Sequence, residues 1–577
     1  MPVQTPQKTL KSRNIRRGHS GCRACRKRGK KCDETKPSCR ACIRLSLECI
    51  YGIEFSFRNS GGDSFQLPAP THAPSQAVTC QSPGKPRHGV SSARMPICSP
   101  LDSGESMENR YLSHFMTHVR PLLPANPSQF TEKTLQSPCL KSAVLCISAS
   151  NLSMLNTQVQ SRALPNDPRR SVFSPLVNPL HHSQAQKYHN RALSYCHSTS
   201  LLDIETDAPV VLGAYTLLAY YHHASTDHAQ FRLAVWDTVR FVATNRDSLA
   251  RSKEGSQALQ MWYRLCVSHR LGKPPALLLE GEGGSSFGPN RYPDSFEQLY
   301  LDCIMGMSTD DLIYDILIKT MELRSRLVVF RCVAGSCGSS EMSKGIGSTA
   351  HDIFNALLGR EDTEDERAEA ENAFVRGAHL GALLDIQRER LKVWKSRLGD
   401  DQKPDSSLPF ATHRVAMNAL YAILCEMMFD EACDTMNQTP PLHNHADSII
   451  QIINTLDFTT SSTADIYTLS LSEVLLQLVL VYKSDAFFHF ILDTVWPTLE
   501  NKARGYEHSH YPTHLVKRMI AQLAQYWAAG RDVAFALPAV PEDVGKLKLL
   551  DIDHPVDLAV CGWNPNGGYF VEKGCLP

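Results

Sequence analysis

From about residue 107 to residue 540, bulky apolar side chains return at helical spacing. Leu140, Val144 and Ile147 fall at i, i+4 and i+7. Val211, Tyr215 and Leu218 repeat the pattern, and Val516, Ile520 and Leu523 repeat it again with Trp527 next in line. Residues so spaced lie on one face of a helix, and that face must be buried. The same reading predicts helices near 108–120, 184–198, 229–247, 256–270, 310–333, 364–397, 412–436, 446–455 and 464–500. Alternating runs with hairpin turns are scarce. The expected body is all-α, with antiparallel helices in layers or a curved array. Its most apolar run, Leu469–Tyr482, is interrupted by Glu473 and Gln477 and predicts a buried helix, so no membrane partner is expected.

Either side of this body the pattern changes. Residues 51–106 hold seven Pro, ten Ser and six Gly, a composition that predicts a disordered linker. No heptad runs through it, and its prolines would break a coiled coil. Any homodimer is therefore expected to form through the helical body. Residues 1–21 carry Lys8, Lys11, Arg13, Arg16 and Arg17 without apolar period and predict a basic disordered arm. Residues 541–577 are read as a tail, in which Leu549–Asp553 and Val556–Leu558 interleave acids with bulky apolar groups. Such a segment either binds coactivators or docks on the body.

Charge sharpens the division. The chain of 577 residues has a formal net charge of only +1, yet Lys8 to Arg44 holds fourteen Lys or Arg against Asp33 and Glu34. That segment is +12, which leaves the rest at −11. A small, strongly basic module on an acidic body predicts a polyanionic partner.

The same segment holds six cysteines: Cys22, Cys25, Cys32, Cys39, Cys42 and Cys49. The spacing is C-x2-C-x6-C, six residues, then C-x2-C-x6-C again. Close thiolates of this kind are metal ligands, and zinc takes four in a tetrahedron. Two zinc ions need eight ligand positions, and six thiolates fill eight only if two of them bridge. The symmetric choice is the first cysteine of each half, Cys22 and Cys39. A disulfide framework suits a secreted chain, but no secretory leader is read here and basic residues crowd the cysteines. The other thirteen cysteines lack paired spacing and read as reduced, mostly buried thiols.

The stretch GCRACRKRGKKCDETKPSCRACIRLSLEC resembles the fungal zinc binuclear cluster (Zn2Cys6) DNA-binding domain. The resemblance implies two Zn2+ per chain, with the first and fourth cysteines, Cys22 and Cys39, as bridges. It implies that the first half presents a short helix to a CGG/CCG triplet of double-stranded DNA. The family usually has Lys, Arg or His four residues after the second cysteine, where it contacts bases; here that position is Gly29. Base reading is therefore assigned to Arg28 or Lys30. Arg26, Lys27, Lys31, Arg40 and Arg44 are assigned to the DNA as well, chiefly to phosphates. Pro37 matches the proline that shapes the family's central loop, and Leu45 and Leu47 are expected to pack on the cluster. Zinc must supply the folding energy of so small a module. The stretches NRYLSHFMTHVRPLLP, SPCLKSAVLCISASNLSML and VLGAYTLLAYYHH resemble, more diffusely, the fungal-specific transcription factor domain, a regulatory region.

Competing chemistry has weaker support. Gly284–Gly288 fits G-x-S-x-G but lacks the strand and helix that a nucleophile elbow requires. His508, His510 and His514, and the pair His222 and His223, have no carboxylate or cysteine at ligand spacing. Glu361–Glu371 holds seven acids in eleven residues, which reads as a solvated helix face or an activation surface. The expected organisation is an arm (1–21), a zinc cluster (22–50), a linker (51–106), a helical regulatory domain (107–540) and a tail (541–577). The expected function is that of a nuclear, sequence-specific transcription regulator of a metabolic or biosynthetic pathway, not an enzyme, which works with coactivators or corepressors. The alternatives are a co-regulator that borrows its specificity from a partner, and a small-molecule-responsive receptor.

Overall fold

The computed structural model describes residues 24–25, 32–33, 35, 38–45, 47, 106–123, 130–131, 134–154, 159–164, 167–175, 178–199, 204–224, 228–268, 307–336, 346–358, 380–399, 410, 412–433, 443–502, 513–538 and 555–576. The chain forms two units, residues 1–100 and 101–577. In the first, the one described helix of any length is α1, Arg40–Arg44.

The second unit is mostly helical. It opens with α2 (Met107–His114), capped by the Ser106 side chain, which accepts from the Asn109 N–H. Then follow α3 (Pro138–Met154), the antiparallel strands β1 (Val159–Leu164) and β2 (Asp167–Pro175), α4 (Pro179–Thr199), α5 (Ile204–Ala224), α6 (His228–Ala250) and α7 (Lys253–Ser268). Next come α8 (Thr309–Ser336), α9 (Ile346–Leu358), α10 (Leu380–Ser396), α11 (His413–Cys433), α12 (His443–Thr455) and α13 (Phe458–Ala464). The last helices are α14 (Leu471–Val481), α15 (Asp485–His489), α16 (Trp496–Lys502) and α17 (Thr513–Ala528). Helix α3 is buried along almost its whole length, packed on α4 and α5. Helix α8 plays the same part lower in the chain, packed on α10, α11 and the C-terminal strands.

The run expected at 464–500 is not one helix. Ser470 starts α14 with a reciprocal capping box to Glu473, and Ser484 starts α15 by accepting from the Phe487 N–H. These side chains satisfy backbone donors that a continuous helix would have paired itself, so the chain restarts at each serine. Two π turns, Phe115–Val119 and Phe490–Val495, each stand two residues before a proline, Pro121 and Pro497. Proline clashes with the carbonyl four residues back, and a widened turn makes room for its ring.

Beside the helices stands an antiparallel sheet in the order β3 (Asp532–Pro538), β4 (Val556–Trp563), β5 (Tyr569–Leu576). Asp532 pairs with Trp563, and Val556 with Leu576. The β4–β5 hairpin turns through Asn564–Gly568, with Gly567 at φ +81°. The division at residue 541 therefore needs correction: β4 hydrogen-bonds to β3, β5 to β4, and both pack on α8, so 556–576 belong to the body. Strand β4 escaped the reading because it is buried on both faces and shows no alternation. Val556 and Leu558 lie inside, which takes that part of the tail out of use as an exposed acidic-hydrophobic segment. Residues 549–553 lie outside the described residues.

Arg324 of α8 joins these parts. It is 1% exposed and pairs with Glu431 of α11 through Nε and Nη2, the latter at 2.7 Å. It also donates to the carbonyls of Ala534 in β3 at 2.8 Å and Leu480 in α14 at 2.9 Å. One helical stretch earlier, the buried Asp315 accepts from Arg390 at 2.7 Å, Lys319 at 3.0 Å and Tyr263 at 3.2 Å. Burial alone would push its carboxyl up, but the Lys319 and Arg390 charges win and hold it below the usual range.

Candidate zinc and nucleic-acid site

In the first unit the local sequence turns thiols inward. Cys39 is the N-cap of α1, and its Sγ accepts from the Cys42 N–H at 3.4 Å. Asp33 accepts from the Arg40 N–H at 3.1 Å and from the Thr35 hydroxyl at 3.2 Å, which ties the chain before α1 to its first turn. Free N–H groups at a helix start favour negative charge, so the Cys39 sulfur sits where a thiolate is stabilised.

Cys25, Cys39 and Cys42 are buried, with Ala24, Cys32 and Ala41 against them. The sulfurs of Cys25, Cys32 and Cys39 all lie within 4.8 Å of one another, and Cys25 and Cys39 are 3.7 Å apart. A zinc tetrahedron with Zn–S of about 2.3 Å has S···S edges of about 3.8 Å, so the donors and their spacing fit zinc. The trio combines two cysteines of the first half with the first of the second half. Zinc bound there would offset most of the thiolate charge and cross-link the two halves.

Arg40 and Arg44 are exposed one turn apart on α1, where they can reach a polyanion. Cys22, Cys49, Arg26, Lys27, Arg28, Lys30 and Lys31 lie outside the described residues. Leu45 and Leu47, expected against the cluster, are 39% and 40% exposed; the cysteines occupy the interior instead. Asp33, counted from sequence only as a negative charge, turns out to brace α1. A carboxylate six residues before a cysteine N-cap was the available signal, but nothing local says which N–H it will meet.

The histidines of the second unit do not assemble a metal site among the described residues. His222 is buried, with its Nε2 2.9 Å from the Nε2 of His189. Burial and then the His189 ring push His222 down to about 3. Burial and then the Arg264 charge push His223 down to about 4. Both are neutral near pH 7, as befits residues inside a fold. His514 is pushed down to about 4 by burial and then by Arg518. His508, His510, Gly284–Gly288 and Glu361–Glu371 lie outside the described residues. Among the described residues of this unit the cysteines form no disulfide, and those whose side chains are described are buried except Cys575.

Residues 20–56 match the fungal Zn(2)-Cys(6) binuclear cluster domain. Residues 110–470, more than half of the chain, match the fungal specific transcription factor domain. The chain belongs to the fungal Zn(2)-Cys(6) transcription factors. A Zn(2)-Cys(6) transcription factor is a zinc-binding, DNA-binding regulator rather than an enzyme, and the family implies a nuclear protein. Among the described residues no helix is long and apolar enough to cross a membrane. The chain is 26% identical over 185 residues to the "Transcription activator AMTR1" of Alternaria alternata, across 28% of this chain and 24% of that protein. It is 46% identical over 53 residues to the "Lysine biosynthesis regulatory protein LYS14" of Saccharomyces cerevisiae, across 9% of this chain and 7% of that protein. The chain thus spans a quarter or less of the length of either relative. No solved structure matches it.

Proposed function

We propose that this transcription factor binds two zinc ions through Cys22, Cys25, Cys32, Cys39, Cys42 and Cys49, with Cys22 and Cys39 shared. The observation that carries the reading is the sulfur trio of Cys25, Cys32 and Cys39. A bridging Cys39 must approach the ligands of the first half while it heads the second, and such a trio supports that role. The module, residues 22–50, reads a CGG/CCG-type triplet with Arg28 or Lys30. Arg26, Lys27, Lys31, Arg40 and Arg44 neutralise phosphates. The helical domain regulates, recruits coactivators or corepressors and brings two copies together, with a metabolic or biosynthetic pathway as the target. The short match to a protein named as a lysine biosynthesis regulator supports such a class of target.

The test is selection of random duplex DNA by the full-length, zinc-loaded chain, with metal content measured alongside. Enrichment of a CGG-like triplet at two zinc ions per chain is the expected result. One zinc per chain would overturn the bridged cluster, and enrichment of an unrelated motif would overturn the triplet. Gly29, at a position where the family usually has a basic residue, favours a second reading in which a partner supplies specificity. Salt-sensitive binding without any enriched motif would select it.

A further inference from the structure

Between α3 and α4 the helical body carries a two-stranded ribbon. Asn178 fixes its root. The Asn178 N–H donates to the Ser153 carbonyl at 2.9 Å, and its side chain accepts from the Leu180 N–H at 3.0 Å. The end of α3 and the start of α4 are thereby held together, and β1 and β2 run out and back between them. Among the described residues no third strand joins the pair. Strand β1 has six residues, so the ribbon is about 20 Å long at about 3.3 Å per residue.

The register sets out what lies at the far end. Val159 pairs with Pro175 near the root, Arg162 with Val172, and Ala163 with Ser171. The next pair is Leu164 with Asp167, so Pro168, Arg169 and Arg170 of β2 have no partner in β1. A bulge of this kind bends a strand and re-aims what it carries. Arg162, Arg169 and Arg170 are thus gathered at the end away from the root, against a single acid, Asp167. Residues 159–175 are +2, on a chain whose charge outside Lys8–Arg44 sums to −11. Such a concentration of positive charge at one place on an acidic body marks a site for a polyanion.

We infer that the β1–β2 ribbon is a second DNA contact, in which Arg162, Arg169 and Arg170 bind phosphates of the duplex that the cluster module holds. The inference rests on the reading of the module as a DNA binder and goes beyond it, because it places a contact in the domain otherwise given to regulation. A DNA groove admits a two-stranded ribbon, and the planar fork of arginine binds phosphate through two N–H groups at once. The module tethers the chain to DNA, so the ribbon meets a duplex at high effective concentration. An acidic protein would have to be captured from free solution. The contact adds affinity and little sequence choice, since phosphates carry no sequence information.

Hydroxyl-radical footprinting and salt titration of the full-length, zinc-loaded chain on a long duplex test this. The wild type should protect backbone beyond the selected triplet and its immediate flanks. Arg162→Ala with Arg169→Ala and Arg170→Ala should lose outer protection and keep that of the triplet. Each phosphate contact contributes about 0.9 to the slope of log affinity against log salt, so three lost contacts should lower it by about 2.7. Affinity at low salt should fall by about tenfold or more. Lysine at the same three positions should restore most of the slope. The basic arm is common to all these proteins, so only their differences count. An unchanged thermal melt will show that the alanine variant folds. The wild-type footprint needs no variant, and one confined to the triplet overturns the proposal. A slope shared by the wild type and the folded alanine variant overturns it too. An oligoglutamate peptide that binds the wild type and not that variant, with both DNA readouts unchanged, would make the ribbon a site for acidic protein instead. A wild type that selects no triplet, yet loses slope with the alanine changes, would sink the reading of the module and keep that of the ribbon.

Discussion

The cluster module and the helical body bury different things. Within the described part of the module the interior is Cys25, Cys39 and Cys42, while Ile43, Leu45 and Leu47 stay largely in water. In the body, Trp394, Trp496, Tyr314 and Phe487 are fully enclosed in a core that extends from α2 to β5. Apolar burial drives the second and cannot drive the first, because a module of about thirty residues has too little to bury. Metal–thiolate bonds must make up the difference. The two regions should therefore fail independently, each under a stress that leaves the other standing.

The largest expected effect is on the module alone. Replacing the proposed bridge, Cys39→Ser, or stripping zinc with a chelator should unfold the module and abolish specific DNA binding. The thermal melt of the body should not move. A common shift of both would show that the two units are energetically coupled.

The converse change strikes the body. Arg324→Met leaves the half-buried Glu431 without its partner and takes one donor each from the carbonyls of Ala534 and Leu480, the latter still held by Lys483. Loss of one member of a buried ion pair costs about 3–5 kcal/mol. A urea melt should report that loss while zinc content stays constant.

Acid should weaken the body by a route of its own. His222 and His223 have folded values near 3 and 4, against 6.5 for a free histidine. The unfolded chain thus takes up protons first. The stability tied to these neutral rings is complete above the unfolded value and is lost as pH falls from there through the folded values. The two together should cost the body about 2 kcal/mol between pH 6 and pH 5. His222→Gln with His223→Gln should flatten that slope, and an unchanged slope would place the proton uptake elsewhere.

The smallest effects separate roles inside the module. Arg44→Ala should weaken binding to all sequences alike and reduce the salt slope by about one charge. Arg28→Ala should instead cost about 1–3 kcal/mol at one base pair. Identical losses on matched and mismatched probes for both would erase the distinction between phosphate contact and base reading.

The module was readable because its chemistry is local. Thiols at positions 22, 25, 32, 39, 42 and 49 and the basic residues among them occupy one short stretch, and zinc geometry restricts what such spacing can do. The long helices were readable for a similar reason. The period of Leu140, Val144 and Ile147, or of Val516, Ile520 and Leu523, records a buried face whatever buries it. Less was visible where partners are distant. Helix α9 was missed, and so was the local capping-box pattern of Ser470 and Glu473 that, with Ser484, divides 464–500.

By itself, then, the chain specified a zinc-thiolate module and a helical body, because ligand spacing and apolar period are written over a few consecutive turns. Tertiary structure alone decided that β4 closes onto β3 and β5 onto β4, that Arg324 meets Glu431 across 107 residues of sequence, and that Ile386 and Val393 are left outside. Those outcomes depend on which surfaces meet, and a doubly buried strand, an arginine in a core and an apolar pair in water look ordinary until their neighbours are in place.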